Sequence, residues 1–92
     1  MSDSTPKPPT LSQAVTAELR AVMARGNISG AELARRLEVP ASWVQRRTSG
    51  ASPITVDEIE RLAAGLGLEP LAIMRAAYLH RNDRVLTPEL AR

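Results

Sequence analysis

Ninety-two residues are enough for one small domain with a single core, and 43% hydrophobic residues are too many for a disordered chain. With no cysteine and one histidine, disulfides, thiolate chemistry and a multi-histidine metal site within one chain are excluded. The net charge of +2 is unevenly distributed, because residues 20–50 carry six arginines against two glutamates and residues 54–74 carry one arginine against four acids. This polarity suits an oriented encounter with a polyanion, although two solvated faces of opposite sign would give the same pattern.

The first nine residues contain three prolines among serine, threonine and lysine, and residues 1–9 therefore predict a flexible or partly polyproline arm. This segment has neither the basic stretch nor the apolar stretch of a signal peptide. No run approaches the roughly 18–20 apolar residues that a membrane-spanning helix needs. We therefore expect a soluble, cytoplasmic protein without a membrane partner.

Three helix starts are marked by a hydroxyl residue that precedes Glu or Gln by three positions. They are Thr10-Leu-Ser-Gln13, Ser29-Gly-Ala-Glu32 and Thr55-Val-Asp-Glu58. In a capping box the hydroxyl accepts the backbone N–H of the third residue, whose side chain accepts the N–H of the capping residue. Each match opens a run with helical apolar spacing, so all three predict the beginning of a helix.

The chain is predicted to be all-α, with five helices in a compact domain over residues 10–80. The first four helices span about 11–25, 30–37, 41–48 and 56–66, and the fifth starts at Pro70. Gly26 and Gly67 are expected to end the first and fourth helices, and Asn82-Asp83 resembles a turn. The residues expected to face inward are Val15, Leu19, Val22 and Met23, then Leu33, Ala34 and Leu37, and then Ile59, Leu62 and Ala63.

The second and third helices are separated by only Glu38-Val39-Pro40, a connection too short to fold them antiparallel. Such a connection sets two helices at a steep angle, as in the DNA-binding helix-turn-helix. This geometry needs a small residue where the helices cross, which Ala34 provides. It also needs apolar residues that close the corner against the first and fourth helices, and these are Leu33, Leu37, Val39 and Val44.

If Val44 points inward, four residues of the third helix fall on its outward side at about 100° per residue. These are Ala41, Ser42, Gln45 and Arg46. Arginine pairs with guanine O6 and N7, glutamine with adenine N6 and N7, serine with several bases, and the alanine methyl contacts thymine. We predict that these four residues read base edges, with Gln45 and Arg46 setting specificity, although an ordinary solvated helix face would also be polar.

From about Leu11 to Met74 the chain resembles the Cro and lambda-repressor-like (XRE-type) helix-turn-helix family, a five-helix domain. The matching residues are Ala31-Glu-Leu-Ala34, Leu37-Glu-Val39, Val44-Gln-Arg46, Gly50, Pro53 and Leu62-Ala-Ala-Gly-Leu-Gly-Leu68. The resemblance implies a transcriptional regulator that binds a double-stranded DNA operator as a homodimer inside a bacterial cell. A chain of this length favours a Cro-like or small phage immunity repressor over a regulator with a sensor domain.

The resemblance also implies contacts to the DNA backbone, at Gly30, Trp43 and the loop Ser49–Ser52. Trp43 could instead pack on the second helix or on the loop 49–54. Arg36 is a candidate phosphate contact, or else one of a solvated arginine pair. Arg47 occupies a position that is usually apolar, and we expect its methylenes to lie on the core with the guanidinium directed toward phosphate. Glu38 stands where the family usually has glycine, which predicts either a left-handed residue costing about 1 kcal/mol or a different turn.

The tail, residues 81–92, is expected to order only by docking, because so short a helix is unstable alone. We predict a homodimer contact from Leu79, Val85, Leu86 and Leu90, which would place two recognition helices about 34 Å apart on a pseudo-palindromic operator. The alternative function is an antitoxin or a protein-interaction module on a helix-turn-helix scaffold. No nucleophile–base pair or paired carboxylates can be assembled, so we predict no enzyme, metal, cofactor or small-molecule ligand.

Overall fold

The computed structural model describes residues 9–85, with side chains described for residues 9–81. This part of the chain forms five helices, α1 (Leu11–Arg25), α2 (Gly30–Leu37), α3 (Ala41–Thr48), α4 (Val56–Leu66) and α5 (Pro70–Val85). The all-α prediction is confirmed, and the first four helices have the predicted bounds. These helices start and end where predicted because the residues that set their limits interact with residues close to them in the sequence.

Two of the three predicted capping boxes form completely. At α1 the Thr10 hydroxyl accepts the Gln13 N–H at 3.1 Å and the Gln13 side chain accepts the Thr10 N–H at 2.9 Å. Thr55 and Glu58 make the same pair of bonds at the start of α4. The prediction is half wrong at α2, where Ser29 caps the helix but the carboxylate of Glu32 binds arginines of its own helix instead.

The core lies where α1 packs on α5 and where α2 packs on α3 and α4. Its largest fully buried apolar side chains are Leu19, Leu33, Leu62, Val15 and Val44. The inward residues predicted for α4 are all buried, whereas Val22 and Leu37 are only half-buried. With two aromatic residues in the whole chain, the interior is closed by aliphatic packing.

Helices α2 and α4 approach each other at Gly65. A Cβ atom at this position would lie 2.6 Å from Leu33 Cδ1 and 2.9 Å from Leu37 Cδ2, both well inside van der Waals contact. A side chain here would therefore require Leu33 and Leu37 to move or α4 to shift. Glycine at this position allows both leucines to pack directly on the backbone of α4.

Helix α5 runs on to Val85, so the turn predicted at Asn82-Asp83 is wrong and the helix crosses the expected boundary between residues 80 and 81. Asn and Asp are only mild helix breakers, and a helix already docked on α1 propagates through them at little cost. The docking includes Arg81, whose Nε donates to the Pro9 carbonyl oxygen at 2.7 Å. Leu86 and Leu90 lie outside the described residues.

Among the described residues no single helix is long and apolar enough to cross a membrane. Helices α4 and α5 are long and apolar enough only when taken together, and the chain bends by 108° at the break between them.

Candidate nucleic-acid interface

The corner between α2 and α3 is closed by a left-handed residue that is not glycine. Glu38 has φ 59° and ψ 46°, so of the two conformations expected the family-like one is present. The Val39 N–H donates to the Ala34 carbonyl at 3.0 Å and the Glu38 N–H to the Arg35 carbonyl at 3.2 Å, which is the Schellman pattern of a helix end. Pro40 then caps α3 with φ −64°. Two sharp changes of direction within three residues set α3 across α2.

Helix α3 is anchored by its inward face. Val44 is fully buried, and the position of a Cβ on Gly30 would lie 3.9 Å from Val44 Cγ1, so α2 begins directly against it. At the other end the buried Thr48 hydroxyl donates to the Val44 carbonyl at 2.9 Å, and the Arg20 guanidinium of α1 donates to the Thr48 carbonyl. Both the middle and the C-terminal end of α3 are therefore fixed to neighbouring helices.

The opposite face of α3 is open. Ala41, Ser42, Gln45 and Arg46 are all exposed, as the inward position of Val44 requires. Among residues 9–81, the side chains of Ser42, Gln45 and Arg46 make no hydrogen bond or ion pair. The predicted orientation of this face is confirmed, and its role in reading bases stays a prediction.

The glycine predicted to contact the DNA backbone begins α2, and the two serines predicted to do so lie in the loop after α3. Gly30 lies in the first turn of α2, where helix geometry leaves backbone N–H groups without a partner in the helix. The Ser49 hydroxyl donates to the Arg46 carbonyl at 3.1 Å and accepts the Ala51 N–H at 3.2 Å, which orders the loop after α3. Ser52, further along that loop, is exposed.

The guanidinium of Arg36 is engaged by two groups of the protein. Its Nε donates to Glu32 Oε2 at 3.1 Å and its Nη1 donates to the Gly65 carbonyl at 3.1 Å. The hydrogen bond from Arg36, with the charge of Arg35, lowers the pKa of Glu32. Arg36 therefore links α2 to α4, and it remains exposed on the outer side of this link.

Trp43 and Arg47 lie side by side and belong to a contact that the sequence did not predict. The Arg47 guanidinium carbon is 4.1 Å from the centroid of the Trp43 ring, and that of Arg61 on α4 is 5.2 Å from it. Arg47 Nε donates to Glu58 Oε2 at 3.0 Å and its Nη1 donates to the Trp43 carbonyl at 3.2 Å. Trp43 thus packs beneath two arginines, and Arg47 binds a carboxylate of the protein where the sequence predicts a phosphate.

Sequence reasoning missed Arg20, Glu58 and Arg61 as residues that support α3. In the sequence Glu58 matches only a capping box, since a pattern along the chain does not show which other helix a side chain reaches. The hydrogen bond from the Thr55 N–H is the main cause that lowers the pKa of Glu58, and the Arg47 hydrogen bond and charge lower it further. Its carboxylate is therefore charged at neutral pH and available to both partners.

The comparisons with known proteins agree with this geometry. A family model described as a helix-turn-helix domain matches residues 14–77, and the chain belongs to this helix-turn-helix family. The match covers α2, α3 and the turn between them together with all of α4.

Two solved structures share the fold. The clp gene regulator ClgR from Corynebacterium glutamicum is 21% identical with a TM-score of 0.76, over 94% of this chain and 92% of that one. The hypothetical transcription factor NHTF from Neisseria is 22% identical with a TM-score of 0.64, over 80% of this chain and 85% of that one. No curated protein sequence matches the chain.

Proposed function

We propose that the protein is a sequence-specific regulator of transcription that binds double-stranded DNA with α3 in the major groove. One observation carries the proposal: Val44 is buried while Gln45 and Arg46 are exposed, with side chains free of partners among residues 9–81. Polar side chains that fold without partners on a firmly anchored helix are suited to binding something outside the protein. In helix-turn-helix proteins the second helix, which is set across the first, enters the major groove.

The side chains of the open face divide by chemistry. Arg46 offers a planar fork to guanine O6 and N7, and Gln45 offers a donor and an acceptor to adenine N6 and N7. Ser42 adds a hydroxyl that serves either role, and the Ala41 methyl suits the methyl group of thymine. We assign base reading to these four residues, with most of the specificity in Gln45 and Arg46.

Contacts to phosphate come from groups on either side of α3. The first-turn amide of Gly30 presents an N–H at the positive end of α2, which favours an anion. The hydroxyls of Ser49 and Ser52 and the outer side of Arg36 complete this set. Arg47 and Trp43 are bonded to each other and to α4, and we give them a structural role in place of the phosphate contact first predicted.

We further propose that the protein acts as a Cro-like or immunity repressor that binds a pseudo-palindromic operator as a homodimer. Support comes from α5, which exposes three large hydrophobic side chains, Leu71 at 75%, Tyr78 at 50% and Leu79 at 52%. Exposed apolar side chains grouped on one helix are expected to be covered in an interface. Leu79, which the sequence predicts to lie in the dimer contact, is one of these three. The side chains of Val85, Leu86 and Leu90, which are predicted to join it, are not among the side chains that the structure describes.

The dimer proposal is tested by adding charge to α5. Leu71→Lys and Leu79→Lys are expected to weaken self-association in sedimentation, because each would bring a charge into the contact. Val56→Lys is the control, since Val56 is 65% exposed but lies on α4. A sedimentation profile that is the same for all three variants and the natural protein would remove α5 from the interface.

The DNA-binding proposal is tested by selecting bound fragments from a random pool of duplex DNA. We expect a defined sequence with two related half-sites, whose centres lie about one helical turn or a multiple of it apart. Affinity for mixed DNA should fall steeply with the logarithm of salt concentration, because phosphate neutralisation releases counterions. Selection of no sequence, together with a flat salt response, would favour the alternative of an antitoxin or a protein-interaction module.

A further inference from the structure

Four side chains bridge α3 and α4 without belonging to the open face of α3. They are Trp43 and Arg47 from α3 and Glu58 and Arg61 from α4, and we call them the α3–α4 clamp. We propose that the clamp fixes the rotation of α3 about its buried Val44, so that Arg47 and Glu58 are positioning residues for base recognition. The effect of the clamp on base recognition rests on the proposed function, whereas the fixing of α3 is independent of it.

The centre of the clamp is the guanidinium of Arg47, which makes one contact with α4 and two with Trp43 of its own helix. Its Nε binds Glu58 Oε2 at 3.0 Å, its Nη1 binds the Trp43 carbonyl at 3.2 Å, and its carbon lies 4.1 Å from the centre of the Trp43 ring. The two contacts with Trp43 lie within α3 and orient the planar guanidinium, and the bond to Glu58 crosses to α4. Rotation of α3 relative to α4 would therefore disturb the bond to Glu58 and the contact of Arg61 with the Trp43 ring.

The acceptor in this clamp is itself fixed to the backbone. One carboxylate oxygen of Glu58 accepts the Thr55 N–H at 2.9 Å, while the other accepts Arg47. The side chains of Arg47 and Glu58 are only 24% and 23% exposed, so their attraction is less screened than that of a surface pair. The start of α4 therefore serves as the fixed point from which α3 is held.

The other contacts of α3 hold its middle and its C-terminal end. Helix α3 packs mainly on α2 and α1, where Val44 and Thr48 are buried and the Arg20 guanidinium donates to the Thr48 carbonyl. The aliphatic contacts of Val44 fix the depth of the helix better than its rotation, because they have little directional preference, and the clamp adds directional contacts on the side of α4. Pairing of Arg46 with a base through two parallel hydrogen bonds depends on that rotation.

Two conservative variants separate positioning from other roles. Arg47→Lys keeps the positive charge but loses the planar fork and the stack on the Trp43 ring. Glu58→Gln removes the charge but keeps a capping box, as Gln13 does at the start of α1. The matched control is Glu60→Gln, which removes the same charge from an exposed position on α4 that makes no ion pair among residues 9–81.

The experiment measures three quantities on the full chain. They are the emission maximum of Trp43, which is the only tryptophan, the ratio of affinities for the selected operator and random duplex DNA, and the salt slope on random DNA. For Arg47→Lys and Glu58→Gln we expect a changed emission maximum and a fall of about fivefold in the affinity ratio, with the salt slope no smaller. Glu60→Gln should match the natural protein in all three.

Two results would overturn the inference. One is an affinity ratio and an emission maximum in Arg47→Lys that equal those of the natural protein, because a positive charge at position 47 would then be enough to hold α3 without the planar guanidinium. The other is an equal loss of affinity on every DNA in Arg47→Met with a salt slope smaller by about one, which would make Arg47 a phosphate ligand.

If the natural protein selects no DNA, the proposed function fails and the clamp is judged by stability alone. In a double-mutant cycle of Arg47→Met and Glu58→Gln, we expect a coupling of about two- to fivefold in the equilibrium constant for unfolding. Effects that add without coupling would show that the pair does not hold α3 to α4.

Discussion

Replacement of Arg46 by alanine isolates base recognition from folding. The side chain is exposed and makes no bond with residues 9–81, while its carbonyl, which accepts the Ser49 hydroxyl at 3.1 Å, is kept in alanine. Folding stability should therefore change by less than about 0.5 kcal/mol. Almost all of the effect of Arg46→Ala should fall on DNA binding.

The size of that effect follows from the geometry of the lost pair. A bidentate arginine–guanine pair contributes about 1–3 kcal/mol of discrimination against other bases, which is about 5- to 150-fold in affinity. Loss of a base contact should relax preference at one position of each half-site and leave the others unchanged. Arg46→Lys should restore the charge but not the preference, because an ammonium group lacks the fork.

The assay is binding to the selected operator and to a set of operators with single base-pair changes, at one fixed salt concentration. The natural protein should lose affinity when one particular guanine of the operator is changed, and Arg46→Ala should not lose affinity on the same change. A uniform loss on every sequence, with a salt slope smaller by about one, would make Arg46 a phosphate ligand and refute the assignment. Recovery of base preference by Arg46→Lys would refute the bidentate geometry.

Three further predictions concern the scaffold, and thermal or urea unfolding checks each one. Glu38→Gly should stabilise the fold by up to about 1 kcal/mol, because the left-handed conformation is strained for glutamate; destabilisation would mean that the side chain makes a compensating contact. Gly65→Ala should destabilise by about 1–3 kcal/mol, since its methyl would collide with Leu33 and Leu37; the stabilisation usual for alanine in a helix would contradict the close approach. The lowered pKa of Glu58 means that it contributes stability that is fully present above its unfolded pKa and is lost as the pH falls through its lower folded pKa. Glu58→Gln should therefore make the free energy of unfolding fall less at acid pH. If it falls as much as in the natural protein, this carboxylate contributes nothing to the pH dependence of stability.

Much of this molecule is encoded in short stretches of sequence. Thr10 and Thr55 with their partners three residues later mark helix starts, because the capping bonds join residues within one turn. The inward position of Val44 follows from helical spacing once the turn before α3 is known. The five helices and the open face of α3 were predictable for the same reason, since every interaction involved is local or periodic.

Local signals were wrong at two places where other contacts competed with the expected structure. Glu32 matches a capping box, but its carboxylate binds Arg35 and Arg36 one turn along the helix. Asn82-Asp83 matches a turn, but α5 is docked on α1 and continues through it. In both cases the pattern was present, and a contact with neighbouring groups outweighed a preference of about 1 kcal/mol or less.

The sequence by itself determined the first four helices and the start of the fifth, the helix-turn-helix corner and the residues that α3 presents outward. Only the tertiary structure decided the partner of Arg47, which is Glu58 on another helix, and the approach of Arg36 to the carbonyl of Gly65. A capping bond or an apolar stripe is fixed by the repeat of one helix. Which side chain a long arginine reaches on a second helix depends on how the two helices pack, and that depends on the whole core at once.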